Sequence, residues 1–256
     1  AINYLTLAAD QNHPKAQFIL GLIYYFGEYV ERNIDKAIDY LTLAADQDDV
    51  EAQFQLGNMY YIDKHVPHDI NKALHYLTLA ADKNNTKAQY KLGNIYYNNE
   101  YVLRNIDKSI HYYSLAAKQN NAKAQFRLGL IFYYDKHVTR DVDKALYYMT
   151  LSANQKFVNA QFELGTIYYL GEHVPRDINK AIYYFTLASN QNFSEAHYNL
   201  GCIYYLNKYV KHDIKKAFYY YSLAADQNHH ASQFSLYYIY SEGKYIKKDI
   251  NKAIHY

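Results

Sequence analysis

The sequence predicts an all-α fold, an α-solenoid of about seven helix-turn-helix repeats of 36 residues. Two observations carry the prediction: a Leu-Gly pair and a lysine each return every 36 residues without a slip, and the apolar residues inside each unit are spaced for two helices. The pair stands at Leu20-Gly21, Leu56-Gly57, Leu92-Gly93, Leu128-Gly129, Leu164-Gly165 and Leu200-Gly201; at the seventh place Leu236 is followed by Tyr237. The lysines are Lys36, Lys72, Lys108, Lys144, Lys180, Lys216 and Lys252. Residues 1–256 therefore form a single repeat array. It opens with a partial helix in 1–10 and continues as units 11–46, 47–82, 83–118, 119–154, 155–190, 191–226 and an incomplete 227–256.

Within a unit, helix A comes first. In "KAQFILGLIYYFG" the residues Ala16, Leu20, Ile23 and Tyr24 fall on one face. Its end is marked by Gly27, Asp63, Asn99, Asp135, Gly171, Asn207 and Gly243, a column of the residue types that best tolerate a left-handed backbone. Helix B starts at a run of good N-caps: Asn33, Asp69, Asn105, Asp141, Asp177, Asp213 and Asp249. Ile34, Ala37, Ile38, Leu41, Ala44 and Ala45 give it a buried stripe, and Asn12, Asn84, Asn120, Asn192 and Asn228 are expected to close helices of this kind. The Leu-Gly glycine lies mid-helix, where glycine costs about 1 kcal/mol relative to alanine. Paid six times over, that cost implies close approach of the partner helix. "LGTIYYLG" at 164–171 is thus a packing notch and a cap. A phosphate-cradling loop would need a preceding strand and a following Lys-Ser/Thr, and both are missing.

Composition narrows the function. With 27 basic and 25 acidic residues, the net charge of +2 exerts little pull on nucleic acid or an anionic membrane. No apolar run approaches the ~20 residues needed to span a bilayer. The single cysteine, Cys202, can form no internal disulfide, and "AINYLTLAAD" has no basic start or cleavage site. A cytoplasmic location is expected.

The motif A-x-x-x-L-G-x-x-Y-x-x-G, then D-x-x-K-A and an Ala-Ala pair, is met by Ala160, Leu164, Gly165, Tyr168, Gly171, Asp177, Lys180 and Ala181. The pair follows at Ala8-Ala9, Ala44-Ala45, Ala80-Ala81, Ala116-Ala117 and Ala224-Ala225. In these residues the chain resembles the Sel-one-like repeats, a branch of the tetratricopeptide-like helical repeats, over essentially its whole length. The resemblance implies a right-handed α-solenoid acting as a non-enzymatic scaffold or adaptor for protein partners. It does not extend to the cysteine-rich subgroup linked to β-lactams, which carries a disulfide in each repeat. Three departures stand out. Asn often replaces the family's Gly after helix B, Tyr29 and His65 stand where a second Gly is common, and Tyr237 breaks the notch of the last repeat.

In related arrays helix A lines a concave, partner-binding surface. Here that surface would carry three columns. The first is aromatic throughout: Phe18, Phe54, Tyr90, Phe126, Phe162, Tyr198 and Phe234. The second varies: Leu22, Asn58, Asn94, Leu130, Thr166, Cys202 and Tyr238. The third is Tyr25, Tyr61, Tyr97, Tyr133, Tyr169 and Tyr205, then Ser241. An aromatic wall with changing residues between suits peptide recognition, because tyrosine offers rigid area and a polar tip. The competing reading is that these rings pack one repeat on the next. Packing is the better reading for the first column; for the third the two stand level.

Other candidates are weaker. Arg32, His68, Arg104, Arg140, Arg176, His212 and Lys248 form a basic ridge, but Asp35, Asp69, Asp107 and Asp141 interleave it, so a locally paired turn is expected. His65 with His68, and His229 with His230, suggest a metal only superficially. Equivalent histidines of adjacent repeats would lie about 8–10 Å apart, too far to share one ion. No catalytic set stands out, no cofactor is expected, and the sequons at Asn84 and Asn192 read as chance in an asparagine-rich chain. A small-molecule or carbohydrate site would have to start from Asn58 and Asn94. Ala1 aligns with Ala37 and Tyr256 with Tyr40, so the chain is expected to be a segment of a longer protein or to continue against a neighbour, as a spacer in a filamentous or cytoskeletal assembly would. The first helix is then expected to expose Leu5, Leu7 and Ala8, while Ser232, Tyr237 and Ser241 suggest that the array ends nearby.

Overall fold

The structure, a computed structural model, describes residues 2–98, 100–206 and 210–242. Ala1, Asn99, Asn207, Gly243, Lys248, Asp249, Lys252 and Tyr256, all used in the repeat alignment, lie outside the described residues. Among the described residues there are fourteen helices and no strand. The helix B elements are α1 (Ile2–Asp10), α3 (Ile34–Asp46), α5 (Ile70–Asp82), α7 (Ile106–Lys118), α9 (Val142–Asn154), α11 (Ile178–Ser189) and α13 (Ile214–Ala225). Between them run the helix A elements: α2 (Pro14–Phe26), α4 (Val50–Ile62), α6 (Thr86–Asn98), α8 (Ala122–Tyr134), α10 (Val158–Leu170), α12 (Ser194–Leu206) and α14 (His230–Glu242). The chain is a helical-repeat solenoid that divides into two compact units, residues 1–125 and 126–256. Within the first, α2 packs on α3, α4 on α5 and α6 on α7; within the second, α10 packs on α11 and α12 on α13.

The glycine column is the closest contact between the paired helices. A Cβ on Gly21 would stand 2.6 Å from Leu41 Cγ, and one on Gly93 would stand 2.5 Å from the Tyr113 ring. The same clash meets Gly57 at Leu77, Gly129 at Met149, Gly165 at Phe185 and Gly201 at Tyr221. Each notch thus seats the residue twenty positions later. These residues and the leucines before the glycines are among the most buried in the chain.

Both kinds of helix end behave regularly, with one exception. After helix B, Asn12, Asp48, Asn84, Asn120, Lys156, Asn192 and Asn228 all have left-handed φ of 60–68°. At the first of them, Asn12 N–H bonds to Ala9 O and His13 N–H to Ala8 O, the two reversed bonds of a Schellman end. The alanine pair supplies these two carbonyls. At the helix B starts, Asn33, Asp69, Asn105, Asp141, Asp177 and Asp213 each accept the N–H of the lysine three residues on, at 2.9–3.0 Å. The exception lies after helix A. Gly27 and Gly171 are left-handed, at φ 71° and 69°, but Asp63 is extended at φ −77° and Asp135 is not left-handed. Sequence alone groups all four as one kind of cap. The aspartates instead accept the N–H two residues on, His65 to Asp63 at 2.8 Å and His137 to Asp135 at 3.0 Å. Their carboxylates thus do in a side-chain turn what glycine does with its backbone.

Repeats are joined by a buried glutamine that reads in the sequence as ordinary helix surface. The side chains of Gln17, Gln53, Gln89, Gln125 and Gln161 donate to Ala9, Ala45, Ala81, Ala117 and Ala153 O, at 3.0–3.2 Å. Each bond is a second one to a carbonyl that already accepts the backbone N–H of the left-handed residue three positions on, using its remaining lone pair. At His197 an imidazole takes this place, with Nε2 3.2 Å from Ser189 O and Nδ1 3.2 Å from Gln227 Nε2. Burial holds this imidazole below its ordinary pKa, against the Ser189 carbonyl, which favours the protonated form. The unfolded chain therefore takes up a proton near about pH 6.5 that the folded chain refuses. The stabilisation is full above that pH and is lost as pH falls through the folded value. Replacing His197 with the glutamine of the other repeats is expected to remove this part of the acid sensitivity. Urea midpoints at about pH 7.5 and about pH 5.5, either side of the ordinary histidine pKa, measure it.

Leu7 is 55% exposed in α1, whereas Leu5 and Ala8 pack against the small cluster of Ala9, Ala16 and Leu20. In the last helix Leu236 is fully buried and Tyr237 lies 44% exposed.

Candidate functional site

The three columns lie on the helix A elements. In the first, Phe18, Phe54, Tyr90, Phe126, Phe162 and Tyr198 are half-buried, and Phe234 is 66% exposed. Phe126 meets Phe157 at 5.3 Å, Phe162 meets Phe193 at 5.2 Å and Tyr198 meets His229 at 4.9 Å between ring centres. Each of these partners stands at the N-terminus of the next helix A, so this column joins repeats.

The middle column is half-exposed and chemically varied: Leu22, Asn58, Asn94, Leu130, Thr166 and Cys202. Helix B reaches two of its members from behind. Tyr113 OH donates to Asn94 Oδ1 at 2.8 Å, and Tyr221 OH to Cys202 Sγ at 3.4 Å. Thr166 turns its hydroxyl to Phe162 O. Asn58 Oδ1 is buried and accepts no hydrogen bond. The residue at the Tyr113 position of its repeat is Leu77, which has no donor.

The tyrosine column is largely committed to neighbours. The Tyr25 hydroxyl donates to Asp63, and the Arg32 guanidinium lies 5.4 Å from its ring centre. Tyr61 meets Tyr101 edge-on at 5.6 Å, with Lys91 Nζ 5.3 Å from the ring. Tyr97 lies under Arg104, Tyr169 against Phe185, and Tyr205 between His212 and Tyr221. Tyr133 is only 3% exposed, edge-on to Tyr134 and His173. Burial raises the phenol pKa of Tyr25, Tyr61 and Tyr133, and the Asp63 carboxylate adds to this at Tyr25. Burial also opposes ionisation of Asp63, but the Tyr25 hydroxyl and the His65 N–H outweigh it and hold that carboxyl below its usual range. These phenols are donors and walls at neutral pH.

Between α2 and α4 the face opens into a cavity of about 440 Å³, lined by residues including Tyr25, Arg32, Asn58, Ile62, Asp63 and His65. Three arginines of the basic ridge are tied to the backbone and keep their charge. Arg32 Nε donates to Tyr25 O, Arg140 Nε to Tyr133 O, and Arg176 Nε and Nη2 to Leu170 O, so these arginines close the C-terminal carbonyls of helix A. Among the described residues no group of three or more His, Cys, Asp or Glu is placed to hold a metal ion. No described helix is long and apolar enough to cross a membrane.

Two features on helix B escape sequence reading. The recurring lysines Lys36, Lys72, Lys108, Lys144, Lys180 and Lys216 each place Nζ 4.8–5.5 Å from the ring twelve residues earlier. Those rings stack on Tyr40, Tyr76, Tyr112, Tyr148, Tyr184 and Tyr220, nearly parallel. The second feature is a stripe of exposed rings in the second unit: Tyr147 at 61%, Tyr183 at 58% and Tyr219 at 57%. Their 36-residue spacing was the available signal, hidden by the many other tyrosines.

The family model of the Sel1 repeat matches residues 1–13, 14–49, 50–85, 86–121, 122–157, 158–193, 194–229 and 231–256. The chain belongs to the Sel1 repeat family. Among solved structures it is similar to c5321, a protective antigen present in uropathogenic Escherichia coli strains displaying an SLR fold. The TM-score is 0.91 at 27% identity, covering 100% of this chain and 55% of that one, so the chain spans little more than half of that protein. It is also similar to a Sel1 repeat protein from Oxalobacter formigenes, with a TM-score of 0.84 at 30% identity over 99% of this chain and 73% of that one. The comparison with curated proteins finds no match. Sel1 repeat proteins are generally non-enzymatic scaffolds for protein interactions. The notch, the caps and the alanine pair described above are the Sel1 repeat seen from its physics.

Proposed function

We propose that this Sel1 repeat array is a non-enzymatic adaptor that binds partner proteins through its helix A face. One observation carries the reading. The framing residues of that face repeat from unit to unit, while the middle column between them changes from Leu22 to Asn58, Asn94, Leu130, Thr166 and Cys202. A scaffold that only had to stack would need no such variation at half-exposed positions. The near-neutral charge favours protein partners over nucleic acid or membrane.

The test compares proteins captured by the native array with those captured by a Leu22→Arg, Thr166→Arg variant of unchanged helicity and melting temperature. Partners retained by the native array and lost by the variant support the reading; identical sets overturn it. A second reading has its own observation, the exposed stripe of Tyr147, Tyr183 and Tyr219 on helix B. Large exposed rings in line are candidates for a protein contact. That stripe is the binding surface if a Tyr147→Ser, Tyr183→Ser, Tyr219→Ser variant loses the partners instead.

A further inference from the structure

The cavity beside Tyr25 can be read against its own equivalents in other repeats. One repeat further on, Tyr101 occupies the corresponding place, 5.6 Å from the Tyr61 ring centre and 4.3 Å from that of His68. In the second unit His173 does so, 5.5 Å from Tyr133, with its Nδ1 3.4 Å from Arg140 Nη1. The residue at this position in the turn beside Tyr25 is His65, which is exposed and lines the rim. The backbone explains the difference from His173. The turn before His173 passes through left-handed Gly171, whereas Asp63 is extended and anchored by the Tyr25 hydroxyl. The array therefore shows, in two other turns, that an aromatic ring fits on this wall of tyrosine and a basic side chain, His68 in one and Arg140 in the other.

A second observation is independent of the first. Asn58 lines the same cavity, and its buried Oδ1 accepts no hydrogen bond, while the equivalent Asn94 accepts one from Tyr113 OH. Buried carbonyl oxygens are rarely left without a donor. The lining has a positive bias: Arg32 and Lys64 are both present, and the one carboxylate, Asp63, is engaged by Tyr25 and the His65 N–H.

We propose that this cavity binds a short acidic peptide segment through an aromatic side chain bearing a hydrogen-bond donor, tyrosine or tryptophan. The ring lies on Tyr25 and Arg32, where Tyr101 and His173 stand in the other turns. The Asn58 side chain turns its enclosed Oδ1 toward a donor from the segment, and flanking carboxylates meet Arg32 and Lys64. The volume lies within the range of about 300–1,000 Å³ usual for ligand pockets. This inference rests on the helix A face being the binding surface and names what one part of it accepts.

The chain contains no tryptophan, so a tryptophan peptide supplies its own fluorescence signal. The probe is end-blocked Glu-Trp-Glu, titrated with the whole chain, with Lys-Trp-Lys as charge reversal and Glu-Leu-Glu as a competitor lacking the ring. The expected result is binding of Glu-Trp-Glu at least about tenfold tighter than of Lys-Trp-Lys, with no displacement by Glu-Leu-Glu; charge steering and aromatic stacking both contribute. Leu77→Tyr gives Asn58 the donor that Tyr113 gives Asn94, in a notch shown at Gly93 to hold a tyrosine. It is expected to weaken Glu-Trp-Glu about fivefold, one hydrogen bond's worth, while Leu77→Phe leaves it unchanged. Arg32→Ala weakens it comparably. Equal affinity for the two tryptophan peptides, or indifference to both Leu77→Tyr and Arg32→Ala, overturns the proposal. That failure is separable from failure of the adaptor reading, which turns on capture by the Leu22 and Thr166 surface and uses none of these variants.

Discussion

Phe185→Ala is expected to destabilise the second unit by about 3–5 kcal/mol, the cost of emptying a fully buried aromatic site. More informative is the response of Gly165 to that change. In the native background a Cβ on Gly165 would stand 2.6 Å from the Phe185 ring, so Gly165→Ala overpacks the notch and costs about 1–3 kcal/mol. With Phe185 already truncated, the clash with the ring is gone and helix propensity favours alanine. The same Gly165→Ala change then stabilises by up to about 1 kcal/mol. A double-mutant cycle by urea denaturation measures this reversal of sign. Additive effects would mean that the notch is set by something other than the residue it seats.

The second large effect concerns the glutamine column. Gln89 is fully buried, donates to Ala81 O at 3.0 Å, and accepts from Gln119 Nε2 at 2.8 Å. Gln89→Leu preserves bulk but removes the second donor to Ala81 O, which keeps the Asn84 N–H, and takes the acceptor from Gln119 Nε2. A cost of about 0.5–1.5 kcal/mol follows, the net worth of the lost hydrogen bond. The loss should appear as faster amide exchange at the α5–α6 junction before the rest of the first unit opens, because this bond ties the end of one helix B to the next helix A. A neutral or stabilising Gln89→Leu would show that the column is incidental.

These two cases mark what a sequence of this kind discloses. The 36-residue period, the notch and the caps are legible because glycine, Asx residues and leucine have narrow physical uses, and each repeat restates them. The glutamine column is not, since a helical glutamine reads as solvent-facing until the helix end it reaches is known. The recurring lysine marked the repeat, but its reason, a ring twelve residues back, needed the fold. Asp63 and Gly171 share a column and a preference for turns, yet one turns through its side chain and the other through its backbone. The candidate site was readable as a surface and not as a set of contacts. Tyr133 and Tyr61 are the same residue at the same repeat position, but the first is buried and the second only half so. Asn58 and Asn94 differ only through the residue nineteen positions on, Leu77 or Tyr113.

Site-specific photo-crosslinking tests most directly whether helix A is the binding face. A photoreactive amino acid is placed at Leu22 or Thr166 on helix A, or at Tyr183 on helix B, and each array is irradiated with the proteins it captures. A partner crosslinked from Leu22 and Thr166 but not from Tyr183 is the predicted result. A partner crosslinked from Tyr183 alone would contradict the account and move recognition to the exposed tyrosine stripe.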